Sequence, residues 1–165
     1  MKALFERTSI CKYKEEPISD EIIETLLKAA FSAPSARNSQ PWHFYVITNR
    51  EVLVQLSKFS RYSYPLEKAP LGIVVCADIS NPKNFDYAQQ DCSAATENIL
   101  IQAKELNIGS CWLGCYPNEE RCEYIANILN TPSHIQPLWA ISLGYIDEEI
   151  RIKDKWNDEK IAYIR

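Results

Sequence analysis

Apolar and polar positions along the chain change period several times, and each change marks an element. Ala3 to Glu6 is a short amphipathic opening. Ser19 offers a helix cap, and Ile22, Ile23, Leu26, Leu27, Ala30 and Phe31 then recur at helical spacing until Pro34 marks the stop. His43 to Thr48 reads as a strand, and Asn49 caps a short helix carrying Val52, Leu56 and Phe59. Pro65 and Pro70 bracket a loop before Leu71 to Ala77, a nearly continuous, valine-rich apolar run that predicts a buried strand.

The longest element runs from Tyr87 to Leu106, where Ala88, Cys92, Ala95, Ile99, Ala103 and Leu106 draw one stripe. Ala94, Leu100 and Ile101 widen it, which predicts a central, surrounded helix. Ser110 to Leu113 is a short strand, and Asn118 caps a helix through Leu129. Leu138 to Ile146 is another buried strand, and Ile161 to Ile164 a short terminal one. Strands and helices are interspersed without strict βαβ alternation. The pattern favours an α+β sandwich with a mixed or antiparallel sheet.

Composition narrows the function classes. The 165 residues suit a single domain, 1–165, and 46% hydrophobic with 24% charged residues excludes a disordered chain. Eighteen basic against 22 acidic residues give a net charge of −4, which argues against nucleic acid as a partner. Local basic clusters can still grip a small anion. The apolar runs are too short for a membrane span, and the first residues lack a secretory signal, so a cytoplasmic protein is expected.

Six cysteines without a CxxC pair predict reduced, buried thiols, and no metal site is expected. With four glycines there is no GxGxxG; Gly109 and Gly114 have phosphate-loop spacing but are followed by Cys115-Tyr116. Two histidines and no GxSxG argue against a histidine-based triad.

Three segments are hard to explain by packing alone. Arg7-Thr8-Ser9 presents an arginine and two hydroxyls, a fork of donors suited to phosphate, though taken by itself the segment reads first as a solvated turn. Ala33-Pro34-Ser35-Ala36-Arg37-Asn38-Ser39-Gln40-Pro41-Trp42 is a polar loop held by two prolines, with amides that suit the edge of a heterocycle. As plain structure, it is a capped connector plugged by Trp42. In Gly109-Ser110-Cys111-Trp112-Leu113-Gly114 the glycines permit close approach, as a buried strand also would.

These segments, with Gln90-Asp91 through Asn98-Ile99-Leu100 and Leu143-Gly144-Tyr145, stand in the order found in the FMN-dependent nitroreductase family, which the chain resembles over nearly its whole length. The resemblance implies a nitroreductase-like three-layer α+β sandwich, dimeric, with two FMN sites built from both subunits. By position, Arg7, Thr8 and Ser9 would hold the FMN ribityl-phosphate and nearby ring atoms. Pro34, Ser35, Ala36 and Asn38 would come from the partner subunit. Cys111, Leu113 and Gly114 would line the isoalloxazine face, and Lys153 and Lys155 would neutralise the phosphate. Arg37 is a candidate lid over the substrate face.

The family commonly has a basic residue two positions after the serine, where this chain has Cys11. Loss of a charge near N1 and O2 lowers the expected flavin potential. The implied chemistry is ping-pong, with hydride passing from NAD(P)H through FMN N5 to a nitroaromatic, quinone or similar small acceptor. A flavin-binding or flavin-sensing protein with little reductase activity is the alternative, and a thiol or metal protein using Cys111, Cys115 and Cys122 a third reading.

Overall fold

The computed structural model describes residues 2–165, except the side chains of 82–85. In chain order the first elements are α1 (Lys2–Glu6), α2 (Asp20–Phe31), β1 (Trp42–Ile47), α3 (Arg50–Leu56) and β2 (Leu71–Asp78). Then come α4 (Pro82–Glu105), β3 (Ile108–Gly114), α5 (Glu119–Leu129) and β4 (Ile135–Tyr145). Short 3-10 turns occupy Ala36–Asn38, Tyr64–Glu67 and Asp158–Lys160.

The helices begin where the sequence supplies a cap. Ser19 Oγ accepts from the Ile22 amide at 3.4 Å, Asn49 Oδ1 from Val52 at 3.1 Å, and Asn118 Oδ1 from Arg121 at 3.0 Å. Each bond satisfies a donor that the first helical turn cannot. At the far end of α5, Asn130 adopts the left-handed conformation (φ 50°) and closes the helix without a glycine.

The four strands pair in the order β1-β2-β4-β3, all antiparallel, which settles the mixed-or-antiparallel expectation. Central β2 is buried along seven of its eight residues, as its unbroken apolar run predicts. One face of the sheet packs on α2 and α4, where Leu26, Ala30, Ile73, Val75, Ile99 and Ile141 meet. The other face packs on α3 and α5, around Leu53, Leu56, Val74, Ile125 and Ala140. Three layers result, with two cores. The α4 stripe of Ala88, Cys92, Ala95, Ile99 and Ala103 is at most 1% exposed, so this helix is central.

The expected strand over Ile161–Ile164 does not form. That segment is irregular and pairs with neither sheet edge, and every residue from 149 to 165 is exposed. Its apolar spacing marks surface left uncovered within one chain.

Candidate flavin site at a sheet edge

Residues 7–14 form a strap across the ends of β3 and β4. Ser9 bridges Ser110 in parallel and Tyr13 bridges Ile146 antiparallel. The Ile10 amide donates to the Ser110 carbonyl at 3.0 Å, and Lys14 to Tyr145 at 2.9 Å. Glycine permits this approach. A Cβ at Gly109 would lie 2.8 Å from Ile10 Cγ2, and one at Gly144 2.8 Å from Tyr13 Cβ. The close contact expected at Gly109 is therefore made by the chain itself.

Buried Tyr13 pins the strap. Its hydroxyl donates to the Ile10 carbonyl at 2.5 Å and lies 2.8 Å from Ser142 Oγ. Burial, above all, pushes the phenol well above its ordinary range, so it stays neutral. Tyr13→Phe should cost about 1–2 kcal/mol of unfolding free energy, read as a lower urea midpoint with unchanged slope. An unshifted midpoint would show that the strap does not need the hydroxyl.

The pinned strap forms one wall of a cavity of about 1340 Å³. Arg7, Thr8, Ser9 and Lys12 line it from the strap, Glu97 from α4, and Lys153 and Lys155 from the C-terminal tail. Acidic groups here are largely engaged. Arg7 Nε meets Glu97 Oε1 at 3.4 Å and Arg151 meets Glu149 at 3.0 Å. Glu148 Oε1 accepts from the Cys11 amide at 2.5 Å and the Lys12 amide at 3.0 Å. Lys12, Lys153 and Lys155 have no ion-pair partner among the described residues. Five cations (Arg7, Lys12, Arg151, Lys153 and Lys155) face four carboxylates (Glu97, Glu148, Glu149 and Asp154) here, a small positive excess in an acidic chain, beside two hydroxyls.

Cys11 turns the other way. It is not among the lining residues, and its sulfur lies 3.9 Å from that of Cys111. Cys111 and Leu113 direct their side chains into the core shared with α3 and α5. Beside them a Cβ at Gly114 would meet nothing within 4 Å, so the end of edge strand β3 faces open space.

The polar loop before β1 is elsewhere. Pro34, Ser35, Ala36, Arg37 and Asn38 do not line the cavity of Arg7. Arg37, Asn38 and Gln40 all have positive φ (55°, 56° and 47°), a conformation disfavoured for side-chain-bearing residues. Asp91 on α4 holds this loop, its carboxylate accepting from the Ala36 amide at 3.0 Å and Ser39 Oγ at 3.2 Å. Trp42 closes the loop as a core residue, packed edge-on against Phe31.

The nitroreductase family profile matches residues 4–78 and, overlapping, 61–145. A provisionally named NADH dehydrogenase/NAD(P)H nitroreductase of Archaeoglobus fulgidus is 46% identical, covering 98% of this chain and 95% of its own. The chain belongs to the nitroreductase family. Among solved structures, a provisionally named NADH oxidase of Clostridium acetobutylicum superposes with a TM-score of 0.94 at 41% identity, over 99% of each chain. A Clostridium difficile protein titled an FMN-dependent nitroreductase gives 0.92 at 32% identity, over 100% of this chain and 99% of its own. Nitroreductases are oxidoreductases, and this chain is one by family.

Of the sequence-predicted nitroreductase residues, the chain gathers Arg7, Thr8, Ser9, Lys153 and Lys155 around one cavity, while Cys11, Cys111, Leu113 and Gly114 do not line it. It leaves the 34–38 loop apart. Sequence reasoning passed over Glu97 and Glu148 as site residues and had no account of Asp91 beyond its place in a motif. Glu97 stands two turns beyond Gln90, on the helix the motif already marked. Nothing in the order of residues signals Glu148, whose partners lie more than 130 positions away. All six cysteines are free thiols and five are buried, as the patterning indicated. No helix among the described residues is long and apolar enough to cross a membrane.

Proposed function

We propose that this nitroreductase-family chain is an FMN-dependent NAD(P)H oxidoreductase that turns over a small acceptor, such as a nitroaromatic or quinone, in a ping-pong cycle. The observation that carries the reading is the donor set: Arg7 and three lysines without an ion pair among the described residues, with Thr8 and Ser9, around a cavity of about 1340 Å³. When bound, FMN supplies hydride chemistry at N5, which no side chain of this protein can provide.

The chain's own residues bind and position. Arg7 offers a planar fork to phosphate oxygens, Thr8 and Ser9 add hydroxyl donors, and Lys153 and Lys155 balance the dianion's charge. Lys12, on the cavity side of the strap, adds a positive charge near the bound anion. Cys111, Leu113 and Gly114 present the sheet edge to one face of the ring, with Cys11 behind them.

A second copy of the chain completes the site in this reading. Phe5, Trp156, Tyr163 and Ile164 are 76%, 71%, 74% and 99% exposed, more large apolar surface than a lone protomer keeps in water. Residues 149–165, bearing six exposed large apolar side chains and two of the three cavity lysines, gain a fixed course by lying on a partner. The partner's 34–38 loop then brings Pro34, Ser35, Ala36 and Asn38 to the flavin, and Arg37, exposed at its tip, covers the acceptor.

The test is the visible spectrum of the purified, FMN-loaded protein. Flavin absorption that bleaches with NADH or NADPH and returns with a nitroaromatic supports the proposal. Bound flavin that neither nucleotide bleaches would instead favour a flavin-holding protein.

A further inference from the structure

Two of the six thiols stand at the junction on which the candidate site depends. Cys11 is in the strap and Cys111 in β3, and their sulfurs are 3.9 Å apart. Their backbones are already registered by the Ser9–Ser110 bridge and the Ile10-to-Ser110 hydrogen bond at 3.0 Å. A disulfide brings its sulfurs to about 2.05 Å, so closure asks roughly 2 Å of relative sulfur movement. Cys11 is also the one cysteine of the six that is not buried. A second close pair, Cys115 and Cys122 at 3.8 Å, is more enclosed, with the two residues 2% and 4% exposed.

We propose that Cys11 and Cys111 are a redox modification site, joined reversibly by hydrogen peroxide into a disulfide that locks the strap onto β3. Cys11, the accessible thiol, reacts first. Its thiolate sulfur attacks one peroxide oxygen, the O–O bond breaks, and the departing hydroxide takes up a proton as water, leaving a sulfenic acid on Cys11. Cys111 then attacks that sulfur, the S–O bond breaks, and the thiol proton leaves with the hydroxide as a second water. Two thiols are oxidised by two electrons, and one peroxide is reduced to two waters.

The surroundings fit this order of events. Burial, first among several causes, pushes the Cys111 thiol up to about 12, so it waits protonated as the resolving partner. The linkage rests on the thiols and the strap geometry alone, without the flavin reading. It joins positions 11 and 111, and so closes a long loop of the unfolded chain.

The test is peptide mapping of the full-length protein, blocked with an alkylating agent before and after stoichiometric hydrogen peroxide. We expect a Cys11–Cys111 linked peptide, loss of alkylation at both residues together, and full recovery after dithiothreitol. The oxidised protein should unfold at a midpoint about 5–10 °C higher. The Cys111→Ser variant should stop at a Cys11 sulfenic acid captured by dimedone, with no rise in midpoint. Cys11 oxidised only to sulfinic acid, both thiols still alkylated, or linkage confined to Cys115–Cys122 would each overturn the proposal.

Discussion

Arg7→Ala should weaken FMN binding by about 10- to 100-fold, the most severe loss expected from one cavity side chain. A charge-assisted hydrogen bond to an anion contributes about 1.5–3 kcal/mol, and each 1.4 kcal/mol is a factor of ten in affinity. Arg7 is better placed than the lysines to contribute the upper part of that range. It is held by the strap and by Glu97 at 3.4 Å, whereas Lys153 and Lys155 lie on an exposed tail. Arg7→Lys should recover only part of the loss, because an ammonium cannot match the guanidinium fork.

Stability is the control for that experiment. The Arg7–Glu97 pair is partly solvated, with side chains 18% and 44% exposed, and such pairs contribute about 1 kcal/mol or less. Fluorescence titration of FMN into the apoprotein, beside a thermal melt, therefore separates binding from folding. A wild-type affinity in Arg7→Ala would remove the arginine from the phosphate site. Loss of affinity with a collapsed melting curve would mean that Arg7 acts through the fold.

Asp91→Ala should give the largest loss of stability. The carboxylate is 7% exposed and accepts from the Ala36 amide and Ser39 Oγ, fastening a loop with three side-chain-bearing residues at positive φ. Each left-handed residue costs roughly 1–2 kcal/mol, and the loop keeps that conformation only while something outside it fixes the ends. Removal of two charge-assisted hydrogen bonds should cost about 3 kcal/mol, a fall in melting temperature of about 6–12 °C for a chain of this size. Asp91→Asn, which keeps one acceptor, should fall between the two. If the 34–38 loop serves the partner's flavin, FMN affinity falls as well. A melting temperature unchanged in Asp91→Ala would show that the loop holds itself.

The parts of the structure written in local chemistry were legible beforehand. Caps at Ser19, Asn49 and Asn118, the α4 stripe and the unbroken β2 run each express a rule that operates within a few residues. Ile161 to Ile164 misled for the same reason. Its apolar content is real, but a strand requires a partner edge, and a single chain supplies none to it. The left-handed turns were also hidden, because the chain spends none of its four glycines on them. Arg37, Asn38, Gln40, Asn107 and Asn130 take that conformation instead, and an arginine or glutamine carries no turn signal.

The site was legible in outline and not in detail. Arg7 to Ser9 and the two tail lysines meet around one cavity, yet they are separated by some 140 positions, and only a family pattern joined them in advance. Further along the strap, at positions 11 and 12, the side chains part. Cys11 takes the inward position beside Cys111, and Lys12 takes the cavity position one residue later.

In the proposed function, one anionic flavin binds per chain and two chains are needed to hold it. Analytical ultracentrifugation of the apoprotein during titration with FMN, followed at the flavin absorption band, tests it most directly. The expected result is a two-chain species carrying one FMN per chain, with affinity that falls as salt rises because lysines and an arginine hold the phosphate. Flavin sedimenting with a single chain, or no flavin sedimenting with the protein at all, would contradict it.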